Sequence, residues 1–91
     1  METAYLEGAD LLKALSNPIR LFLVHELYLH ESRTVSQLLE NSDCSQSMIS
    51  QSLGKLKDMG IVRMERKGAF SCYSLVDEKV KEIIEIIFNH S

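Results

Sequence analysis

Residues 45–76 read SQSMISQSLGKLKDMGIVRMERKGAFSCYSLV, and the apolar periodicity changes once along them. In the first half, Met48, Ile49, Leu53 and Leu56 recur at helical spacing, and Gln46, Ser47, Ser50, Gln51 and Lys55 make up the other face. Ser45 is a suitable cap for this helix. Gly60, able to adopt positive φ, ends it after about Met59. The second half alternates: residues 61–66 and 71–76 read as two strands around Lys67-Gly68-Ala69-Phe70, a hairpin with glycine in its loop. Just upstream, Thr34-Val35-Ser36-Gln37 has capping-box form, with Thr34 as cap and Gln37 three residues on. It opens a short helix through Leu38, Leu39 and Glu40, and Asn41-Ser42-Asp43-Cys44 is a turn. A short helix, a tight turn and a polar-faced second helix make a helix-turn-helix over about residues 34–59. The basic hairpin that follows at once, about 61–76, is a wing.

Working outward, Asn17 can cap a helix whose first position suits Pro18, where a missing N–H does no harm. Residues 19–30 are apolar nearly all round and read as the buried central helix. Tyr5, Leu6, Ala9, Leu12 and Leu15 place a helix over about residues 3–16. Asp77 caps a last helix, about 77–89, holding Val80, Ile83, Ile84, Ile86, Ile87 and Phe88. The expected fold is therefore mainly α with a small β-hairpin (α+β): a winged helix-turn-helix in the order α-α-α-α-β-β-α. It forms a single domain over residues 1–91, with no internal repeat or linker.

The chain has 91 residues, two cysteines, 45% hydrophobic residues and a formal charge of −3. A domain this small buries only ~60–65% of the surface its unfolded chain exposes, so association with a second copy would help it. No apolar run approaches the ~18 residues of a membrane span, and the acidic start lacks the pattern of a signal peptide. Two cysteines without framework spacing suit a reducing compartment, and the expected location is cytoplasmic. An acidic total argues against an anionic partner, but the charge is unevenly spread. In residues 1–44, three basic residues stand against seven acidic ones; in 45–76, five basic against two acidic; in 77–91, two basic against four acidic. Only the segment holding the second helix of the motif and the wing is basic, the sign asymmetry of a localised anion-binding surface.

Asn17-Pro18-Ile19-Arg20-Leu21 resembles the (D/N)PxR(L) start of the second helix in the ArsR/SmtB family of bacterial winged-helix repressors. Ser45-Gln46-Ser47-Met48-Ile49-Ser50-Gln51-Ser52-Leu53 is similar to that family's recognition helix, commonly S-Q-S-T-V-S-H-H-L. Residues 56–62 match its L-x-x-x-G-(L/I)-V, and residues 66–75 resemble its wing, ending Y-x-L. The likeness covers roughly residues 10–90. It implies a homodimer paired through the first and last helices, bound to a palindromic operator on double-stranded DNA and released by an effector. Gly54 departs from the pattern, where a larger residue is usual.

The family's metal sites are missing ligands. The thiolate site needs cysteines where Thr34 and Ser36 stand. The site on the last helix needs a D-x-H and an H-x-x-E; Asp77 and His90 match, Lys79 does not, and the chain stops at Ser91. An ammonium has no lone pair to give a metal. No metal and no cofactor are expected. His25 and His30, five residues apart, do not share a helix face and read as structural or surface residues.

Recognition helices place their N-terminal residues on base edges in the major groove. Gln pairs with adenine through two hydrogen bonds, and Ser bonds to several edges. Gln46, Ser47, Ser50 and Gln51 are therefore assigned to bases, Ser45 and Lys55 to phosphates, and Arg66 and Lys67 to the DNA beside the wing. Arg20 suits a salt bridge or a phosphate contact. The apolar stripe of the last helix is too wide for one contact; Val80, Ile83, Ile84 and Ile87, with Leu6, Ala9 and Leu12, are expected to form a two-fold interface. Cys44 and Cys72 read as small buried hydrophobes or as a thiol pair for a redox-sensing repressor. A winged-helix module for protein–protein assembly is the alternative from another class. No paired carboxylates, activated nucleophile or phosphate-binding loop suggests an enzyme.

Overall fold

The Asn17 side chain accepts backbone N–H bonds from Ile19 at 2.9 Å and Arg20 at 3.2 Å, and with Pro18 behind it this cap starts the helix on which the molecule is built. In a computed structural model, which describes residues 1–89, that helix is α2 (Pro18–Leu29). It follows α1 (Thr3–Leu15) and precedes β1 (Arg33–Thr34), α3 (Val35–Glu40), α4 (Gln46–Asp58), β2 (Val62–Lys67), β3 (Phe70–Leu75) and α5 (Glu78–Phe88). Leu23, Val24 and Leu27 of α2 are buried, and the helix packs against α1, α4, α5 and β3. The helix is central as expected, but it is not buried all round: Ile19, Leu21, Phe22 and Tyr28 are half-buried and Leu29 is 48% exposed.

The caps act as the sequence predicts. Thr34 and Gln37 close a capping box, Oγ1 accepting from Gln37 N at 3.2 Å and Thr34 N donating to Oε1 at 2.9 Å. Asp77 accepts from Val80 N at 3.0 Å to start α5. Gly60 takes φ 74° after α4, a conformation that disfavours any side chain.

The sheet differs from the expected hairpin in two ways. It has three antiparallel strands in the order β1-β3-β2, with Arg33 opposite Tyr73 and Thr34 opposite Cys72. A two-residue strand carries no periodicity, which is why its pairing leaves no trace in the sequence. The hairpin is also tighter. Lys67 and Phe70 are themselves a strand pair, so the expected four-residue loop reduces to Gly68-Ala69, with Gly68 at φ 64°.

The core runs from α2 through Leu38 of α3 and Ile49, Leu53 and Leu56 of α4 to Ile61, Val62 and Leu75 of the sheet, and on to Val80 and Ile84 of α5. The last two correct an expectation. Val80 and Ile84, assigned to an interface between copies, are fully buried within the chain's own core. They stand one helical turn apart, in the row of α5 that faces α2. Two contacts tie those helices further. His25 stacks on Phe88 with ring centroids 3.8 Å apart. Tyr28 is joined to Glu85 by a side-chain hydrogen bond, and its phenol is pushed above its usual pKa, first by burial and then by that carboxylate.

The chain exposes 6086 Å². A monomer of its mass is expected to expose about 5,400 Å², a surplus of about 700 Å². Its radius of gyration is 13.2 Å, against about 12 Å for a rounded domain of this length. Much of the surplus lies on α1, whose first eight residues, 3–10, are all exposed. Among the described residues, no helix is long and apolar enough to cross a membrane.

Candidate nucleic-acid interface

Ser45 fixes the start of α4: its hydroxyl accepts from Met48 N at 3.2 Å, leaving the hydroxyl proton free to donate outward. Ile49, Leu53 and Leu56 then hold α4 in the core by one side only. On the other side two rows run along successive turns, one of Gln46, Ser50 and Gly54, the other of Ser47, Gln51 and Lys55. Every side chain in these rows is exposed. No acidic residue lies in the first turn, so the partial positive charge of the helix N-terminus is uncompensated, which favours a polyanion. The structure thus gathers Ser45, Gln46, Ser47, Ser50, Gln51 and Lys55 on one surface, which meets its first acid at Asp58, the last residue of the helix.

Met48 belongs to this surface too. The sequence places it with the apolar set, yet it is 44% exposed and borders a groove between α4 and the start of α2, lined by Asn17, Ile19, Arg20, Gln51, Ser52 and Lys55. Its position on the wheel, next to Lys55, is the signal that could have found it. Among the described residues Arg20 makes no salt bridge. Its Nε donates to Ala14 O at 2.6 Å and its Nη2 to Lys13 O at 3.3 Å, so the guanidinium closes the C-terminal carbonyls of α1 and fixes α1 to α2.

The wing is carried by the same helix, since α4 packs against β2. Arg66 and Lys67 are exposed at the far end of β2, on opposite faces of the strand. Arg66 Nη1 donates to Ser71 Oγ at 3.4 Å across the hairpin.

The other singled-out residues lie elsewhere. Leu6 and Leu12 are 54% and 62% exposed, Ala9 is exposed, Ile87 is 52% exposed and Ile83 half-buried. Tyr5 and Ile86, not assigned in the sequence reading, are at least as exposed. Cys44 and Cys72 are free, half-buried thiols that line two different hollows, one beside Phe22 and Asn41, the other beside Arg63 and Glu65. His30 meets Arg33, whose Nη2 lies 2.9 and 2.8 Å from its two ring nitrogens. Thr34 and Asp77, at metal-site positions of the family, are both occupied as helix caps. His90 lies outside the described residues. Among the described residues no three His, Cys, Asp or Glu side chains are grouped to hold a metal ion.

Residues 17–64 match the family model described as bacterial regulatory protein, arsR family. The chain is 34% identical over 83 residues to an uncharacterized HTH-type transcriptional regulator of Methanocaldococcus jannaschii, covering 91% of this chain and 93% of that one. It is 35% identical over 81 residues to the transcriptional repressor PagR of Bacillus anthracis, covering 89% of this chain and 81% of the relative. Among solved structures, HlyU from Vibrio cholerae superposes with a TM-score of 0.90 at 30% identity, covering 98% of this chain and 96% of that one. The repressor BigR from Xylella fastidiosa superposes with a TM-score of 0.87 at 33% identity, covering 93% and 86%. The fold, the motif order and these matches agree: the chain belongs to the arsR family of bacterial regulatory proteins.

Proposed function

We propose that this protein is a homodimeric transcriptional repressor that reads a palindromic operator in double-stranded DNA and acts in the cytoplasm without catalysing a reaction. The observation that carries the reading is the Ser/Gln/Lys face over the first three turns of α4, continued by a hairpin ending in Arg66 and Lys67. A solvated helix face with no partner is ordinarily rich in Lys and Glu; this one has hydroxyls and amides, the groups that bond to base edges. Gln46, Ser47, Ser50 and Gln51 read bases, Ser45 and Lys55 hold phosphates, and Arg66 and Lys67 hold the DNA beside the half-site. Relatives called repressors in Bacillus anthracis and Xylella fastidiosa support the same direction of control.

The surface supports a dimer. The surplus of about 700 Å² is close to the ~800 Å² that each partner contributes to a standard interface. Leu6, Ala9, Leu12 and Ile87, with half-buried Ile83, lie on α1 and α5 and supply its apolar part. A two-fold pair presents two copies of α4, and half-sites about one helical turn apart match it. Selection from a random duplex pool tests the reading: the expected winner is an inverted repeat. No enrichment over a scrambled pool would contradict it.

A further inference from the structure

Phe70 opens β3 directly after the turn and is 61% exposed. A lone exposed apolar side chain is ordinary on a protein surface, but three observations set this one apart. Phe70 is not among the hydrophobic residues packed against the core. It stands where the hairpin has no neighbour: β1 pairs with β3 only at Cys72 and Tyr73, so the end of the hairpin projects beyond the three-stranded part by about 10 Å, at ~3.3 Å per residue. And its strand partner is a cation: Lys67 stands opposite Phe70 on the same face, with Glu65 one pair further back and Arg66 on the other face.

An apolar ring beside a lysine, at the tip of the hairpin, is complementary to a surface that is anionic at its rims and apolar on its walls. The minor groove of DNA is such a surface, with phosphates along its edges and deoxyribose along its sides. At about 6 Å wide it admits one side chain rather than a two-stranded ribbon. Phenylalanine is among the residues that proteins insert there. We propose that Phe70 packs into the minor groove flanking each half-site while Lys67, its strand partner, holds the adjacent phosphate. The proposal rests on the function given above and adds to it an apolar, non-ionic contact that anchors the wing.

The test uses the full-length protein and the selected operator in two forms, one with extended flanks and one trimmed to the inverted repeat. Phe70→Ala is expected to weaken binding to the extended duplex about tenfold, the scale of losing partial coverage of an aromatic ring. Phe70→Leu should restore most of the loss. The slope of log affinity against log salt should not change, because no cation has been removed. On the trimmed duplex, wild type and Phe70→Ala should bind alike; circular dichroism confirms that both are folded. Binding of Phe70→Ala within twofold of wild type on the extended duplex would overturn the proposal. A loss just as large on the trimmed duplex would also overturn it, since the effect would then come from the fold. Wild-type protein that binds no duplex would remove the proposed function itself.

Discussion

Gly54 stands between Ser50 and Asp58 in the outer row of α4 that begins at Gln46, and a Cβ built there meets nothing within 4 Å. No neighbouring atom of the described residues needs the space, so packing does not account for a glycine that weakens a helix by ~1 kcal/mol relative to alanine. Gly54→Ala is expected to stabilise the fold by about that amount, read as a higher urea midpoint, and to lower operator affinity where the helix must approach DNA closely. A second residue-level expectation separates the two kinds of contact. Gln46→Ala should relax preference at one base pair by ~1–3 kcal/mol, whereas Lys67→Ala should weaken all sequences alike and reduce the salt slope by about two, one cation being lost from each protomer. Competition titrations against single-base operator variants measure both. At this scale the sequence was a good guide wherever a residue acts through its immediate neighbours. Asn17, Thr34 and Asp77 cap as their spacing predicts, because a cap is closed within three residues. It was a poor guide to Met48 and Arg20. The exposure of Met48 depends on the width of the arc that α4 buries, and the acceptors of Arg20 are carbonyls of another helix.

Among the elements, α1 and the sheet show most clearly what lies beyond local pattern. Helix α1 is held near its C-terminus by buried Ala14 and Leu15 and by the Arg20 bonds to Lys13 O and Ala14 O. Arg20→Ala is expected to destabilise the protein by about 1–2 kcal/mol, a partly exposed, charge-assisted pair of bonds being lost. The drop should be visible in the urea midpoint, with faster hydrogen exchange confined to α1; an unchanged midpoint would show that the clamp does nothing. The strands of the hairpin were legible from alternation, but their ends were not. Lys67 and Phe70 read as loop because charge and glycine mark a turn there, whereas pairing continues to the two residues that flank Gly68-Ala69. Helix α5 gives the same lesson. Its apolar residues are obvious in the sequence, but Val80 and Ile84 face α2 while Ile86 and Ile87 face outward, and only the docking of the helix decides which row is which.

For the whole molecule, net charge is a weaker guide than its distribution. The total of −3 argues against DNA, yet the acid is concentrated in the first and last segments while the helix-turn-helix face and wing hold the basic surplus. Whole-molecule repulsion should keep non-specific affinity low and leave discrimination to base contacts. Shape gives the second expectation. Ile87→Asp places a charge in the exposed apolar row of α5 and should convert dimer to monomer in sedimentation velocity, with helicity retained and operator affinity reduced at least about tenfold. A wild type that sediments as a monomer would contradict the dimer.

A salt titration of operator binding reads out the phosphate-neutralising surface proposed for α4 and the wing. Three cations in each protomer, Lys55, Arg66 and Lys67, give about six phosphate contacts for a dimer. The slope of log affinity against log salt should then be about −5, becoming shallower by about two in a dimer carrying Lys55→Ala. A flat slope, or the same slope with and without Lys55, would contradict the account.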